Sequence, residues 1–586
     1  MAIAATRVYA LSRSLWDWDE ALFSVGVRSY DVVQHHPHPP GFPLFIAAAK
    51  LVHLVIHNEF RAVQAVTLLG AIGLFPALFA LARALRFPFF VAAAGATLYA
   101  FFPAVWVFGG TAFSDIPSTT LVLAACALLL RGAEDGRAYV AGAIVLGISA
   151  GFRSQNLLIG CAPALYATWM QLGAPSSRRL AARRLASRGG VTPPDQPAWT
   201  PARRVVIAIL LGAAIVAGSY AGAAYASSDP PRGYLGSVAN LRAYVRQVDS
   251  FMNPGRPPLR RLMPDYFVHP IRGGRFDYVV LAFGALGLAA TFRRFGTLMA
   301  LAMFLPFQVF AWFMLDPLSV SRYGTAWLPL YALLAAAGAH VIAFFWIDVV
   351  IVAAIVARLA FWTLPAVQTL RSAESPPVAA MREIVREHPK MPPVVHMSMS
   401  PFADYYLAAT PHSVILKESE LALEPRDALY VCECVRPGHV YDRPRGALWN
   451  IVRRRYFDVT LTTLGKIWRF RDGWHDEEGD GNIVFRWMKG RSETILPPVG
   501  PRARLTMAFE IPSPLVAEAP TLTVQLNGRV IDRVRCTTEG MTKTWDVDAI
   551  PNGANELVLA IDRTMKPPGD VRELGLRLDR YEWSAR

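Results

Sequence analysis

A polytopic α-helical membrane domain of about ten spans, followed by a small soluble α/β unit and a β-sandwich of the jelly-roll kind, is the fold class the sequence predicts. Three observations carry that reading. Apolar residues make up 53% of the 586 and charged residues only 18%, where an average soluble domain is about 25% charged. Mean hydropathy is +0.31. Apolar runs approaching the length of a bilayer core, about 20 residues per helix, fill the chain up to residue 365. Beyond it they shorten, alternate with polar positions and are broken by Pro, Gly and Asp, as in a folded aqueous domain.

In order along the chain, the ten apolar segments are roughly 60–84, 88–107, 114–130, 138–152, 155–171, 205–226, 276–292, 297–315, 323–345 and 347–364. Pro43 to His57 is apolar too, but it has only 15 residues and contains Lys50 and His53, so it is expected along the interface instead of across it. With that stretch left out, the loops of one face carry 13 Arg, seven of them between 172 and 204, against 10 on the other. The positive-inside rule puts the richer face in the cytoplasm. The loops 16–59 and 227–275 and the whole soluble half then share the periplasmic side of an inner, cytoplasmic membrane.

The predicted domains are 1–365, 366–473 and 474–586. The second opens on a helix-like stretch and continues as short strands; the third alternates at Leu505, Met507, Phe509 and Ile511, and again at Leu522, Val524 and Leu526, which run into Asn527-Gly528. Asn-Gly after an alternating run is a strong hairpin signal, because its turn needs positive φ twice.

The formal charge of +15 looks at first like a nucleic-acid signature, yet Lys supplies only seven of the 59 basic residues and the Arg residues sit largely in loops between apolar runs. No nucleic-acid partner is expected; membrane lipids are. Cys126, Cys161, Cys432, Cys434 and Cys536 have no paired zinc-type spacing and imply neither a disulfide scaffold nor a metal cluster. A Walker loop, a GxGxxG opening a helix and HExxH are all missing, so the motifs of nucleotide hydrolysis, dinucleotide chemistry and zincin proteolysis are absent.

Ionisable groups gather on one face. Asp17, Asp19, Glu20, Asp31, His35, His36 and His38 fall within 22 residues, among Trp16, Trp18 and Phe23. Acids flanked by Trp at a membrane surface have a restricted water supply and can act as bases; the plain alternative is a solvated loop with an aromatic belt. Ser114-Asp115-Ile116-Pro117 reads either as helix-start chemistry or as part of the same site. Arg153 lies in a tight turn between spans. Arg322-Tyr323 at a span's outer end reads as a snorkelling anchor or as a phosphate contact. Arg242 and Arg246, four apart, suit acceptor or lipid-headgroup contact.

Taken in order, WDWDEALF, HPHPPGFPLFI, FSDIPS, GFRSQ and SRYGTAWLPLYALLAAAG resemble the membrane glycosyltransferases of the GT-C superfamily. The nearer branch is that of family 39 protein O-mannosyltransferases, the lipid A aminoarabinose transferase and the RgtA/B/C/D-like proteins. The resemblance covers about 16–365 and is specific in the ordered combination. It implies a polyprenyl-phosphate-linked sugar as donor, an outward-facing site and a catalytic Asp in the first outer loop. Carried over, that residue is Asp19, with Glu20 beside it and Asp115 as the second outer-loop acid; Arg322, Tyr323, His38 and Arg153 fall to the donor phosphate. Family members have a membrane helix before the acidic loop, whereas only 15 residues precede Trp16, so an upstream, in-frame apolar segment is expected.

The function expected is transfer of a hexosyl or pentosyl group to an acceptor hydroxyl on a glycan, lipid or protein, by inversion with Asp19 as base. Its rivals are a lipid-linked oligosaccharide flippase, which wants related halves and a midplane cluster, and a non-catalytic carbohydrate-binding envelope assembly factor built on the sandwich. No cofactor is needed. A divalent metal ion near Asp19, Asp115 and the loop histidines is admitted by their ligand types.

Overall fold

The computed structural model describes residues 2–173, 200–342, 346–434, 436, 438–452, 458–479, 484–568 and 570–586. The Arg-rich stretch 174–199 and the end of the ninth apolar segment, 343–345, lie outside them. The chain forms two compact units, one of Met1–Ser375 with Pro444–Tyr456, the other of Pro376–Arg443 with Phe457–Arg586.

These units differ from the three sequence domains. Residue 365 is no boundary: the helix Ile347–Ser372 runs through Pro365 because Ala366, Val367 and Leu370 continue its buried face. Residues 444–456 return to the helical unit, where the short helix Ala447–Ile451 buries Leu448 and Ile451 and packs on Ile347–Ser372. Nothing in the polar sequence around Trp449 announces this.

In their described residues all ten apolar segments are helical. The helical unit has the makeup of a multi-pass membrane protein, although only four helices among the described residues are long and apolar enough to cross alone. A fifth span counts if Pro317–Ala326 and Leu328–Ile342, bent by 61°, are one broken crossing. Others are shorter: Phe89–Phe101 has 13 residues and Asp277–Thr291 has 15.

Helix starts follow capping chemistry. Asn58, Asp135 and Thr200 each accept a hydrogen bond from a backbone N–H of the first turn, and Pro201 follows Thr200 where its missing N–H is no loss. Asp277–Thr291 and Leu328–Ile342 approach through Gly287 and Gly338. A Cβ on the first would strike the Leu334 carbonyl and on the second that of Phe283, so backbone contact replaces side-chain packing.

The second unit holds a five-stranded mixed sheet in the order Ser413–Ile415, Pro393–His396, Leu429–Cys432, Val459–Thr463, His439–Tyr441, the first three parallel. Cys432 and Cys434 form a disulfide that the spacing did not suggest. Two further five-stranded sheets face each other across a core containing Leu505, Met507 and Phe509 from one and Leu522, Val524, Leu557 and Leu559 from the other. Asn527 and Gly528 both have positive φ between Thr521–Leu526 and Arg529–Arg535, as the hairpin signal required. The sandwich starts before 474, since Arg469–Phe470 pairs with Arg491–Leu496. Trp474, Trp545 and Trp583 pack against its core.

Candidate active site

The acidic loop is ordered by its own carboxylates. Asp17 caps the helix Trp18–Arg28, accepting from the Asp19 N–H at 3.0 Å. Glu20 completes a reciprocal capping box: its carboxylate accepts from the N–H of Trp16 at 2.6 Å, of Asp17 at 3.0 Å and, far along the chain, of Ala112 at 2.7 Å. Burial pushes its carboxyl up to about 8, against the pull of those backbone donors. Glu20 is thus a buried staple that ties the loop to Ala112. Trp16, expected in an interfacial belt, is buried as well.

The capping box leaves Asp19, one position earlier, turned to a different environment. Its Oδ2 accepts from Nη1 of Arg322, and its Oδ1 lies 3.6 Å from Nδ1 of His38. Arg322 sits in the short helical segment Val320–Tyr323, within Pro317–Ala326, the arm that precedes the bend. That bend is braced from the next helix: Tyr99 donates to the Thr325 carbonyl at 2.6 Å, and Thr325 donates to the Arg322 carbonyl at 2.7 Å. Phe113 and Tyr323 present their rings to the guanidinium at 4.9 and 5.0 Å.

Asp115 extends the series. Its Oδ1 is 2.5 Å from Nη1 of Arg153, and its Oδ2 is 3.9 Å from Nε of Arg322, a pair too long for a hydrogen bond. Both of those last atoms are buried with no hydrogen-bond partner. Ser114 supplies no side-chain cap; its hydroxyl accepts from Arg153 instead, at 3.3 Å. Side chains more than 300 residues apart thereby form one alternating row: Arg153, Asp115, Arg322, Asp19, His38.

His38 ends the row as a neutral imidazole. Burial, with Arg322 and Arg153 nearby, pushes it down to about 4 despite Asp19. Its ring packs on Phe42 at 4.9 Å, and Phe42 itself holds a positive φ of 46° at the start of the next helix. Asp31 is not part of the row. It accepts from Ser228 and Val33, which ties the acidic loop to the segment after Pro201–Tyr225.

Asp19, His38, Arg153, Arg322 and Tyr323 line a cavity of about 200 Å3. Gln155, Tyr220 and Asp249 also line it and were not singled out from the sequence. Asp249 had a faint signal: Leu241, Val245 and Asp249 follow at four-residue steps along a helical stretch. Arg242 and Arg246 are exposed and line neither this cavity nor the larger one beside it.

As for a metal ion, Asp19 and Asp115 already face guanidiniums, and among the described residues no group of three His, Cys, Asp or Glu is placed to hold one. The residues present do not fit a divalent ion.

No family model and no curated protein sequence matches the chain. Solved structures do. ArnT from Cupriavidus metallidurans, bound to undecaprenyl phosphate, aligns over 78% of this chain and 96% of its own at 12% identity, TM-score 0.46. The oligosaccharyltransferase of Archaeoglobus fulgidus aligns over 70% and 64% at 10% identity, TM-score 0.38. Arabinofuranosyltransferase AftD from Mycobacteria aligns over 100% and 58% at 12% identity, TM-score 0.41. All three are GT-C glycosyltransferases, the superfamily the motifs resemble. At these scores they are likenesses of arrangement, and the functional reading rests on the side chains.

Proposed function

We propose that the helical unit is an inverting glycosyltransferase that moves one sugar from a polyprenyl-phosphate carrier to an acceptor hydroxyl. The observation that carries it is the alternating row of Asp19, Arg322, Asp115 and Arg153 beside a cavity, with Arg322 on the short arm that precedes the apolar helix Leu328–Ile342. Two guanidiniums suit a phosphate, and their place among apolar helices suits a phosphate attached to a lipid.

Paired with Arg322, Asp19 is a poor base. A donor phosphate that draws Arg322 to itself would free the carboxylate, so the base is uncovered only once donor is bound. Asp19 then accepts the acceptor's proton as its oxygen attacks the anomeric carbon. The bond from that carbon to the phosphate oxygen breaks on the opposite side, and the lipid phosphate leaves with its charge held by Arg322 and Arg153. His38, being neutral, offers a hydrogen bond and not a charge.

We assign the reaction to the extracytoplasmic face of the cytoplasmic membrane, from the Arg balance of the loops. In support, the Cys432–Cys434 disulfide of the second unit is of a kind that persists in an oxidising compartment. The test is a transfer assay with purified protein and a set of polyprenyl-phosphate hexoses and pentoses, following lipid phosphate release and the anomeric configuration of the product. Retention of configuration, or no release from any donor, would sink the proposal.

A further inference from the structure

Beside the catalytic cavity lies a second, of about 720 Å3, and the two share Asp249 and Tyr323 as a common wall. Its other walls differ in chemistry. Tyr244 and Trp449 add aromatic faces to that of Tyr323, and Asp265 and Asp316 add carboxylates to that of Asp249. The two guanidiniums in the lining are engaged. Arg272 donates to Asp265 at 3.0 Å, and Arg256 donates to the carbonyls of Phe313, Trp312 and Leu315 at 2.7 to 3.0 Å. The acids are engaged as well, Asp265 by Arg272 and Asp316 by the Leu318 N–H and the Ser319 hydroxyl at 2.9 Å. A carboxylate has about four lone-pair sites and never donates when ionised, so three acids against two cations leave a net negative lining that repels an anion and can still accept from a ligand rich in hydroxyls. Aromatic faces suit the C–H surfaces of sugar rings.

We infer that this second cavity binds the acceptor, and that the acceptor is an uncharged saccharide chain whose terminal sugar passes the Asp249–Tyr323 wall to reach Asp19. The inference rests on the glycosyl-transfer reading and names the acceptor of that reaction, which excludes phosphorylated and carboxylated acceptors. Trp449 is the specificity-determining residue furthest from the others in sequence, brought in by the helix Ala447–Ile451. The transfer balances as stated above: the acceptor's O–H proton goes to Asp19, its oxygen gains the glycosidic bond, and the polyprenyl phosphate departs.

Binding is measured apart from turnover, by calorimetry on the full-length Asp19→Asn protein in nanodiscs. The probes are mannotetraose, maltotetraose, α-1,5-arabinotetraose and, as the anionic control, trigalacturonate. At least one neutral probe is expected to bind, with trigalacturonate about tenfold weaker or more. Trp449→Ala should weaken the neutral probe about tenfold, Trp449→Phe should recover most of that loss, and polyprenyl phosphate binding should be unchanged in both. Should Trp449→Ala misfold, Tyr244→Ala replaces it, since Tyr244 is 53% exposed and its loss leaves the core intact. Absence of binding by every neutral probe, trigalacturonate binding as tightly as the best of them, or folded variants that bind like the parent would each overturn the inference. Saccharide binding without transfer from any donor would instead overturn the reaction and leave the binding site standing.

Discussion

Two ion-pair clusters in this protein contain the same groups, two carboxylates and two guanidiniums, and only one has the open form that the proposed reaction needs. In the helical unit Arg153, Asp115, Arg322 and Asp19 form an open row whose far end meets His38 and a cavity. In the second unit Glu418 and Glu477 each meet both Arg436 and Arg486, with Glu477 at 3.2 and 3.5 Å, so the groups close into a ring. Arg436 also donates to Tyr581 at 3.2 Å and Arg486 to the His475 carbonyl at 2.9 Å, which fastens sandwich strands to the mixed sheet. The ring leaves one guanidinium nitrogen, Arg436 Nε, buried and unbonded, while both of its carboxylates are held. The open row leaves an atom of each sign, Asp115 Oδ2 and Arg322 Nε, buried and unbonded, 3.9 Å apart. Charge is common to the two clusters; the proposed function goes with the open row.

The contrast breaks most sharply at Asp19. Asp19→Asn removes the base, so turnover should fall by about 10²- to 10⁴-fold in a protein that still folds and inserts, with a melting temperature lowered by loss of the charge opposite Arg322. Parental turnover in the folded variant would remove Asp19 from the mechanism. At the ring the reverse is expected. Glu418→Ala leaves two guanidiniums short of a partner and should destabilise the second unit by about 3 to 5 kcal/mol, seen in denaturant unfolding, with turnover per folded molecule unchanged.

Arg322→Ala should raise the donor's KM by the loss of a charged hydrogen bond, about 1.5 to 3 kcal/mol, and leave acceptor binding nearly as it was. Equal effects on both substrates would return Arg322 to the snorkelling-anchor reading. Glu20→Gln probes the residue beside the base. It replaces one acceptor oxygen with a donor facing backbone N–H groups, and should cost about 1 to 3 kcal/mol of stability with little change in rate per folded molecule. A rate loss matching that of Asp19→Asn in a protein of parental stability would restore Glu20 to catalysis.

The remaining effect is a pH dependence. His38 is neutral in the fold, with its value pushed down to about 4 from the usual 6.5. Its contribution to stability is whole above 6.5 and is lost as pH falls toward 4, because the unfolded chain takes up the proton first. His38→Gln should therefore melt like the parent, apart from a constant offset, above pH 7, and lose less on acidification. Parallel melting curves from pH 7 to 4 would contradict a neutral, buried imidazole.

The sequence made the helices and the sandwich legible because both rest on periodicity, which a single chain displays. Asp19, Asp115, Arg153 and Arg322 were legible only through resemblance, since no local pattern says that positions 19 and 322 will meet. Glu20 illustrates a signal present and unused: Asp17-x-x-Glu20 ahead of an apolar run is a capping box, and it marks Glu20 as a staple without any structure. Trp449 had no signal at all. It lies in a polar stretch well beyond the last apolar segment, and its place follows from Leu448 and Ile451 finding buried surface in the helical unit.

That last feature bears on how the chain can be made and cut. The backbone leaves the helical unit at Ser375, comes back at Pro444 and departs again after Tyr456. A ribosome must therefore deliver residues 376–443 before the wall containing Trp449 can close, and the membrane part cannot finish maturing when its last apolar helix emerges. A stop codon near 375 would leave a bundle that retains Asp19 and Arg322 but has lost Trp449 from its larger cavity. Grafting the two units onto other partners calls for two junctions in the inserted segment, not one.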